Sequence, residues 1–179
     1  MMSTNLTFST SHQLIVLMLL AIGLNVNTLF NDYELDDCVV LTQNSLVKQG
    51  LKGIPKLLTT DYVYGYSSQS NILSGARYRP LSLLLFAVGY QIFGAKTFIS
   101  YLISVLLFAL LILLLYKLLT EHIFKEQQSY LAFITCMLFA VHPIHTEVIA
   151  NVKSRDEIIT FIFIIISMMA IIKYVGNRQ

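Results

Sequence analysis

Four short polar clusters hold the side chains that could do chemistry. Glu34-Leu35-Asp36-Asp37 sets three carboxylates within four positions, directly after an apolar run. Carboxylates beside lipid are costly unless hydrated or paired, and a drier setting raises their pKa toward the range of a general base. The plain alternative is a solvated loop start. Arg77-Tyr78-Arg79-Pro80-Leu81 places a guanidinium immediately before an apolar segment. A guanidinium can take two phosphate oxygens at once, although a basic side chain reaching the headgroup level would look the same in sequence. His142-Pro143-Ile144-His145-Thr146-Glu147 offers metal-ligand residue types. It lacks the His-Glu-x-x-His order, however, and Pro143 breaks regular helical spacing, so no metal is expected and polar capping of a kinked helix end is the better account. In Ser154-Arg155-Asp156-Glu157, Ser154 reads as a helix N-cap with acids favouring the helix dipole, which leaves Asp156 free to serve as a second functional carboxylate. No phosphate-binding glycine loop, dinucleotide motif, nucleophile elbow or prenyl-diphosphate aspartate motif occurs, and no cofactor is expected.

The elements that must position these clusters are apolar. Of 179 residues, 56% are hydrophobic and 12% charged, with a mean hydropathy of +0.69. A soluble chain usually carries about 25% charged residues, so a water-facing shell cannot be built and a lipid-facing surface is expected. A net charge of +2 gives no footprint for nucleic acid. The two cysteines, Cys38 and Cys136, have no metal or redox spacing. Spans are expected near 14–30, 98–119, 130–141 (longer if the chain continues past Pro143) and 158–172. The first is retained rather than cleaved, since no Lys or Arg precedes Lys48. Segment 81–93 is too short to cross and reads as interfacial. Segment 142–157 reads as a polar connector. If all four spans cross, loop 31–97 and segment 142–157 share one side of the membrane, and the four polar clusters face one aqueous edge. The positive-inside rule does not orient the chain, because half of its Lys and Arg fall in loop 31–97.

The succession of these pieces resembles a known pattern. A first span is followed by Leu35-Asp36-Asp37, then Asn44, Gly75-Ala76-Arg77-Tyr78-Arg79-Pro80-Leu81, a long apolar span, His142-Pro143-Ile144-His145-Thr146-Glu147 and Arg155-Asp156-Glu157. From about residue 10 to 175 the chain resembles the N-terminal membrane region of the GT-C superfamily of lipid-linked-sugar glycosyltransferases. The nearest group is the protein O-mannosyltransferase-like proteins with tetratricopeptide repeats, of the bacterial type. The resemblance implies an all-α membrane protein: about four transmembrane helices, with interfacial helices in a long first extracytoplasmic loop. It implies inverting transfer of a sugar, mannose being the one in the family name, from a polyprenyl-phosphate donor to a protein or glycan acceptor. Asp36, with Asp37 beside it, would activate the acceptor. Arg79 would hold the lipid phosphate, with Arg77 and Tyr78 adjacent. Asp156 and Arg155 would line the same cleft, and His142, His145 and Glu147 would be site-lining. The implied setting is a bacterial inner membrane with loop 31–97 in the periplasm. Because the family carries further spans and often a repeat domain, the resemblance also implies that the 179 residues are the first part of a longer protein.

A non-catalytic membrane protein, such as part of a transporter or a scaffold, is the rival class. Transporters place functional polar groups near the middle of the membrane, often at broken helices. Here the apolar runs are nearly free of charge and the acids gather at their edges, which favours interfacial chemistry.

Overall fold

The computed structural model describes residues 9–66, 78–124 and 128–177. Arg77 lies outside them. Among the described residues every regular element is helical and there is no strand. The chain divides into two compact units, one of residues 1–26, 105–146 and 157–179, the other of residues 27–104 and 147–156.

In the first unit the apolar helices dominate. Helix α1 (Thr10–Gly23) is followed by a 3₁₀ turn, Val26–Phe30, and Asn25 interrupts the run by returning its side-chain amide to the Ala21 carbonyl at 2.8 Å. Together they give 21 residues of apolar helix. At about 1.5 Å per residue this covers a hydrocarbon core of about 30 Å. Helix α5 (Thr97–Leu118) runs into a π-helical turn, Leu119–Ile123. Within this unit the Tyr116 hydroxyl donates to the Gln13 side-chain oxygen at 2.5 Å, so two polar groups in apolar surroundings satisfy each other. Helix α8 (Arg155–Gly176) keeps Phe163, Ile164, Ile166, Met168, Ile171 and Ile172 exposed, a face that suits lipid rather than water.

The third apolar run is broken. Helix α6 (Ser129–Ala140) and helix α7 (Ile144–Ala150) meet at a bend of 64°. Pro143 sits at the break, as expected of a residue with no N–H to continue the ladder. The helix then resumes where the sequence suggested a polar connector. The His142 ring nitrogen Nδ1 accepts the Ile144 N–H at 3.2 Å and satisfies a donor at the new helix start. Among the described residues three helices are thus long and apolar enough to cross a membrane, or four if the bent pair is one span.

The second unit holds the segment between the first two long helices. It is a folded piece with its own core: Val40, Leu41, Leu46, Val47, Leu57, Leu83, Phe86, Ala87, Tyr101 and Val152 are buried together. Helix α2 (Leu35–Asp37) passes into a π-helical turn, Cys38–Thr42. A 3₁₀ stretch, Val47–Gly53, leads into helix α3 (Ile54–Leu57). Fully buried Asn44 organises this region. Its Oδ1 accepts the Leu46 and Val47 N–H groups at 3.1 and 3.0 Å, and its amide donates to the Val39 carbonyl at 3.1 Å. A side chain at Gly65 would place its Cβ 2.0 Å from Asn44 Oδ1, so the turn there needs glycine. Helix α4 (Pro80–Phe93) starts with Pro at its first position, where a missing N–H costs nothing, and ends before Gly94 at φ +66°. Its 14 residues reach only about 21 Å, too short to cross. Leu83, Phe86 and Ala87 on it are buried in the unit's own core.

Candidate functional site

The polar cluster lies wholly within the second unit. Two hydrogen bonds fix the acidic segment to the first turns of α5: the Tyr101 hydroxyl donates to the Asp32 carbonyl at 2.9 Å, and the Tyr33 and Ser100 hydroxyls meet at 2.8 Å. Burial raises the Tyr33 pKa, so its phenol stays protonated. The start of α8 is tied to the same turns. Arg155, buried, donates from Nε to Ser104 Oγ at 3.2 Å and from its guanidinium to the Ser100 carbonyl at 2.6 Å, and it stacks over the Phe86 ring at 5.2 Å. It also lines a small cleft with Leu41, Phe86, Tyr90, Phe93 and Ser100.

These ties bring the two carboxylates of α2 onto the turn Val152–Ser154. Asp37 is fully buried; its Oδ1 accepts the Lys153 N–H at 2.8 Å and its Oδ2 the Glu34 N–H at 3.3 Å. Burial raises its pKa, partly offset by these backbone donors. Asn151 caps the same turn, Val152–Ser154, through Oδ1, 3.1 Å from the Lys153 N–H, and Ser154 is the residue directly before α8. Asp36 points outward, its side chain 57% exposed, and meets Lys153 Nζ at 2.6 Å. Three residues further along, Asp156 accepts from the Arg79 guanidinium at 2.5 Å, with side-chain exposures of 10% and 43%. The Asp36–Lys153 pair, open to solvent on both sides, contributes about 1 kcal/mol or less. Tyr78 does not point at the carboxylates: its hydroxyl donates to the Leu58 carbonyl at 2.6 Å and tethers the residue before Arg79 to the end of α3.

The structure thus brings Asp36, Asp37, Arg79, Arg155 and Asp156 into one unit. Residues 142–147 fare differently. His142 and His145 belong to the first unit, where His145 packs against the rings of Phe139 and Phe108 at 4.2 and 5.5 Å. Glu147 is exposed, and only its backbone carbonyl, accepting from Asn151, takes part in the turn. No group of three metal-ligating side chains occurs among the described residues. Sequence reasoning missed Lys153, which reaches Asp36 across 117 positions, and Tyr62, a buried tyrosine in the Asp61-to-Tyr66 turn. The only signal for Lys153 was its place in a polar stretch before an apolar run.

Helices of this length and composition define a class: a helical chain compatible with a multi-pass membrane protein. No family model and no solved structure matches it. Curated relatives do. The chain is 32% identical to a protein O-mannosyl-transferase of Caenorhabditis elegans over 93% of its own length and 23% of the relative's. It is 29% identical to protein O-mannosyl-transferase TMTC1 of Homo sapiens, over 80% of the chain and 16% of the relative. It is also 29% identical to protein O-mannosyl-transferase TMTC2 of Mus musculus, over 89% of the chain and 18% of the relative. The chain spans less than a quarter of the length of these relatives. The similarity over most of the chain supports an O-mannosyltransferase-like relationship. These relatives are eukaryotic, so the bacterial membrane and periplasm suggested by the sequence gain no support from them.

Proposed function

We propose that this chain forms the acceptor-activating and phosphate-holding part of a GT-C-type membrane glycosyltransferase. It transfers a sugar, mannose by the names of its relatives, from a polyprenyl-phosphate donor to a hydroxyl of a protein or glycan acceptor. The observation that carries this reading is the pairing of Asp36 with Lys153 and of Arg79 with Asp156 at the start of one helix. Asp36 is the general base: exposed, it can exchange Lys153 for an incoming acceptor hydroxyl. As the acceptor oxygen bonds to the anomeric carbon, Asp36 takes its proton and the carbon–oxygen bond to phosphate breaks, the electron pair leaving with the phosphate. Inversion follows from attack opposite the leaving group. Arg79 holds two oxygens of that phosphate. Asp156 aims the guanidinium before the donor arrives. Asp37, with both oxygens on backbone N–H groups, fixes α2 to the turn and so sets where Asp36 stands. Arg155 braces α8 against α5. Loop 31–97 and the start of α8 face the extracytoplasmic side.

Donor titration tests the phosphate role. Arg79→Lys keeps the charge and loses the two-pronged geometry, so apparent donor affinity should fall about tenfold, and Arg79→Ala should lower it further. Equal affinity for the Arg and Lys proteins would mean that only charge at the headgroup level matters, and would remove the clamp.

A further inference from the structure

Tyr62 carries a buried polar atom that the described residues leave without a partner. Its position is set by the turn Asp61–Tyr66, in which Asp61 Oδ1 accepts the Val63 N–H at 3.1 Å and the Asp61 carbonyl accepts the Tyr64 N–H at 3.3 Å. The ring is buried in the apolar cluster with Leu57, Leu83 and Val152, and the residue is only 7% exposed. Among the described residues its hydroxyl is a buried side-chain polar atom with no hydrogen-bond partner. Leaving such a group unpaired costs stability, and phenylalanine would fill the same space without that cost. The Tyr78 hydroxyl, bound to the Leu58 carbonyl, ties the chain next to Arg79 to the segment that carries Tyr62. The charges of Asp156, Arg79, Asp36 and Asp37 all act on the phenol, and burial holds its proton in place. It is therefore a neutral donor, already desolvated, in the same unit as the charged groups of the site.

We propose that the Tyr62 hydroxyl donates a hydrogen bond to a ring hydroxyl oxygen of the transferred sugar, an assignment that rests on the sugar-transfer reading above. The occupant is a neutral polyol rather than the phosphate. The phenol is set in the apolar cluster of Leu57, Leu83 and Val152, and among the described residues no cation is bonded to its oxygen, which disfavours an anion at this point. Sugar hydroxyls can donate to carboxylates and accept from the phenol at the same time. Tyr62 then fixes the sugar while Arg79 holds the phosphate, and it serves recognition rather than proton transfer.

Tyr62→Phe removes the oxygen alone and is the variant to use. In detergent-solubilised protein, binding of mannose 1-phosphate and of inorganic phosphate is measured by calorimetry, together with the melting temperature without ligand. The expected result is an unliganded melting temperature unchanged or higher, mannose 1-phosphate binding weakened about tenfold, and phosphate binding unchanged. Equal weakening for both ligands would place the hydroxyl on the phosphate and overturn the sugar assignment. Unchanged binding of both, or a lower melting temperature with unchanged binding, would overturn it as well and leave the transferase reading standing. If the unsubstituted protein binds neither ligand, the sugar-phosphate reading fails and the role of Tyr62 fails with it.

Discussion

Two adjacent carboxylates, Asp36 and Asp37, have the same chemistry and opposite circumstances. One is exposed and paired with a flexible lysine; the other is sealed under the turn that carries that lysine. The difference has a consequence for pH. Burial lifts the folded-state pKa of Asp37 above its ordinary value of 3.8, so the folded chain holds this proton more tightly than the unfolded chain does. Its contribution to stability is complete while the group is protonated and declines as pH rises through the raised pKa. The melting temperature of the solubilised protein should therefore fall less steeply with rising pH in Asp37→Asn than in the unsubstituted chain, because asparagine keeps an acceptor for the Lys153 N–H and cannot ionise. Identical slopes from pH 3.8 upward would show that Asp37 is not desolvated as the structure has it. At this scale the sequence was informative about residue type and silent about partners. The sequence offered Arg79 as a candidate phosphate-binding cation, but its pairing with Asp156 joins residues 77 positions apart, which no local pattern encodes. His145 shows the converse: its residue type suggested a site, and its setting among Phe139 and Phe108 is aromatic packing.

At the scale of elements, the long apolar helices were readable because lipid-crossing runs are compositionally unlike anything else in the chain. Pro143 was readable as a break for the same local reason, although the helix resuming at Ile144 was not, since it depends on the His142 ring reaching the Ile144 N–H. The segment 31–97 was legible as too charged for lipid and too long for a connector. Its internal order was not legible, because it rests on single buried polar groups. Asn44 is the clearest of these. Asn44→Ala would leave the buried Leu46 and Val47 N–H groups without acceptors, at a cost of roughly 2–4 kcal/mol by the usual cost of unpaired buried donors. Chemical denaturation followed by circular dichroism should show that loss. A change under about 0.5 kcal/mol, the scale of an ordinary surface substitution, would mean the turn does not depend on this side chain.

For the whole molecule, one unit carries helices long and apolar enough for a membrane, and the other holds every charge assigned a role. The similarity to protein O-mannosyl-transferases extends over most of the chain and includes both acidic segments, while the relatives continue well beyond it. Activity is therefore best measured in membranes containing the protein, with polyprenyl-phosphate mannose as donor and a Ser/Thr-rich peptide as acceptor. The decisive comparison is between the unsubstituted protein and Asp36→Asn, which preserves size and removes the base. With Asp36 as the base, transfer is expected from the former and a loss of about a hundredfold or more in turnover from the latter, with the melting temperature preserved. Transfer by Asp36→Asn at the unsubstituted rate would contradict it.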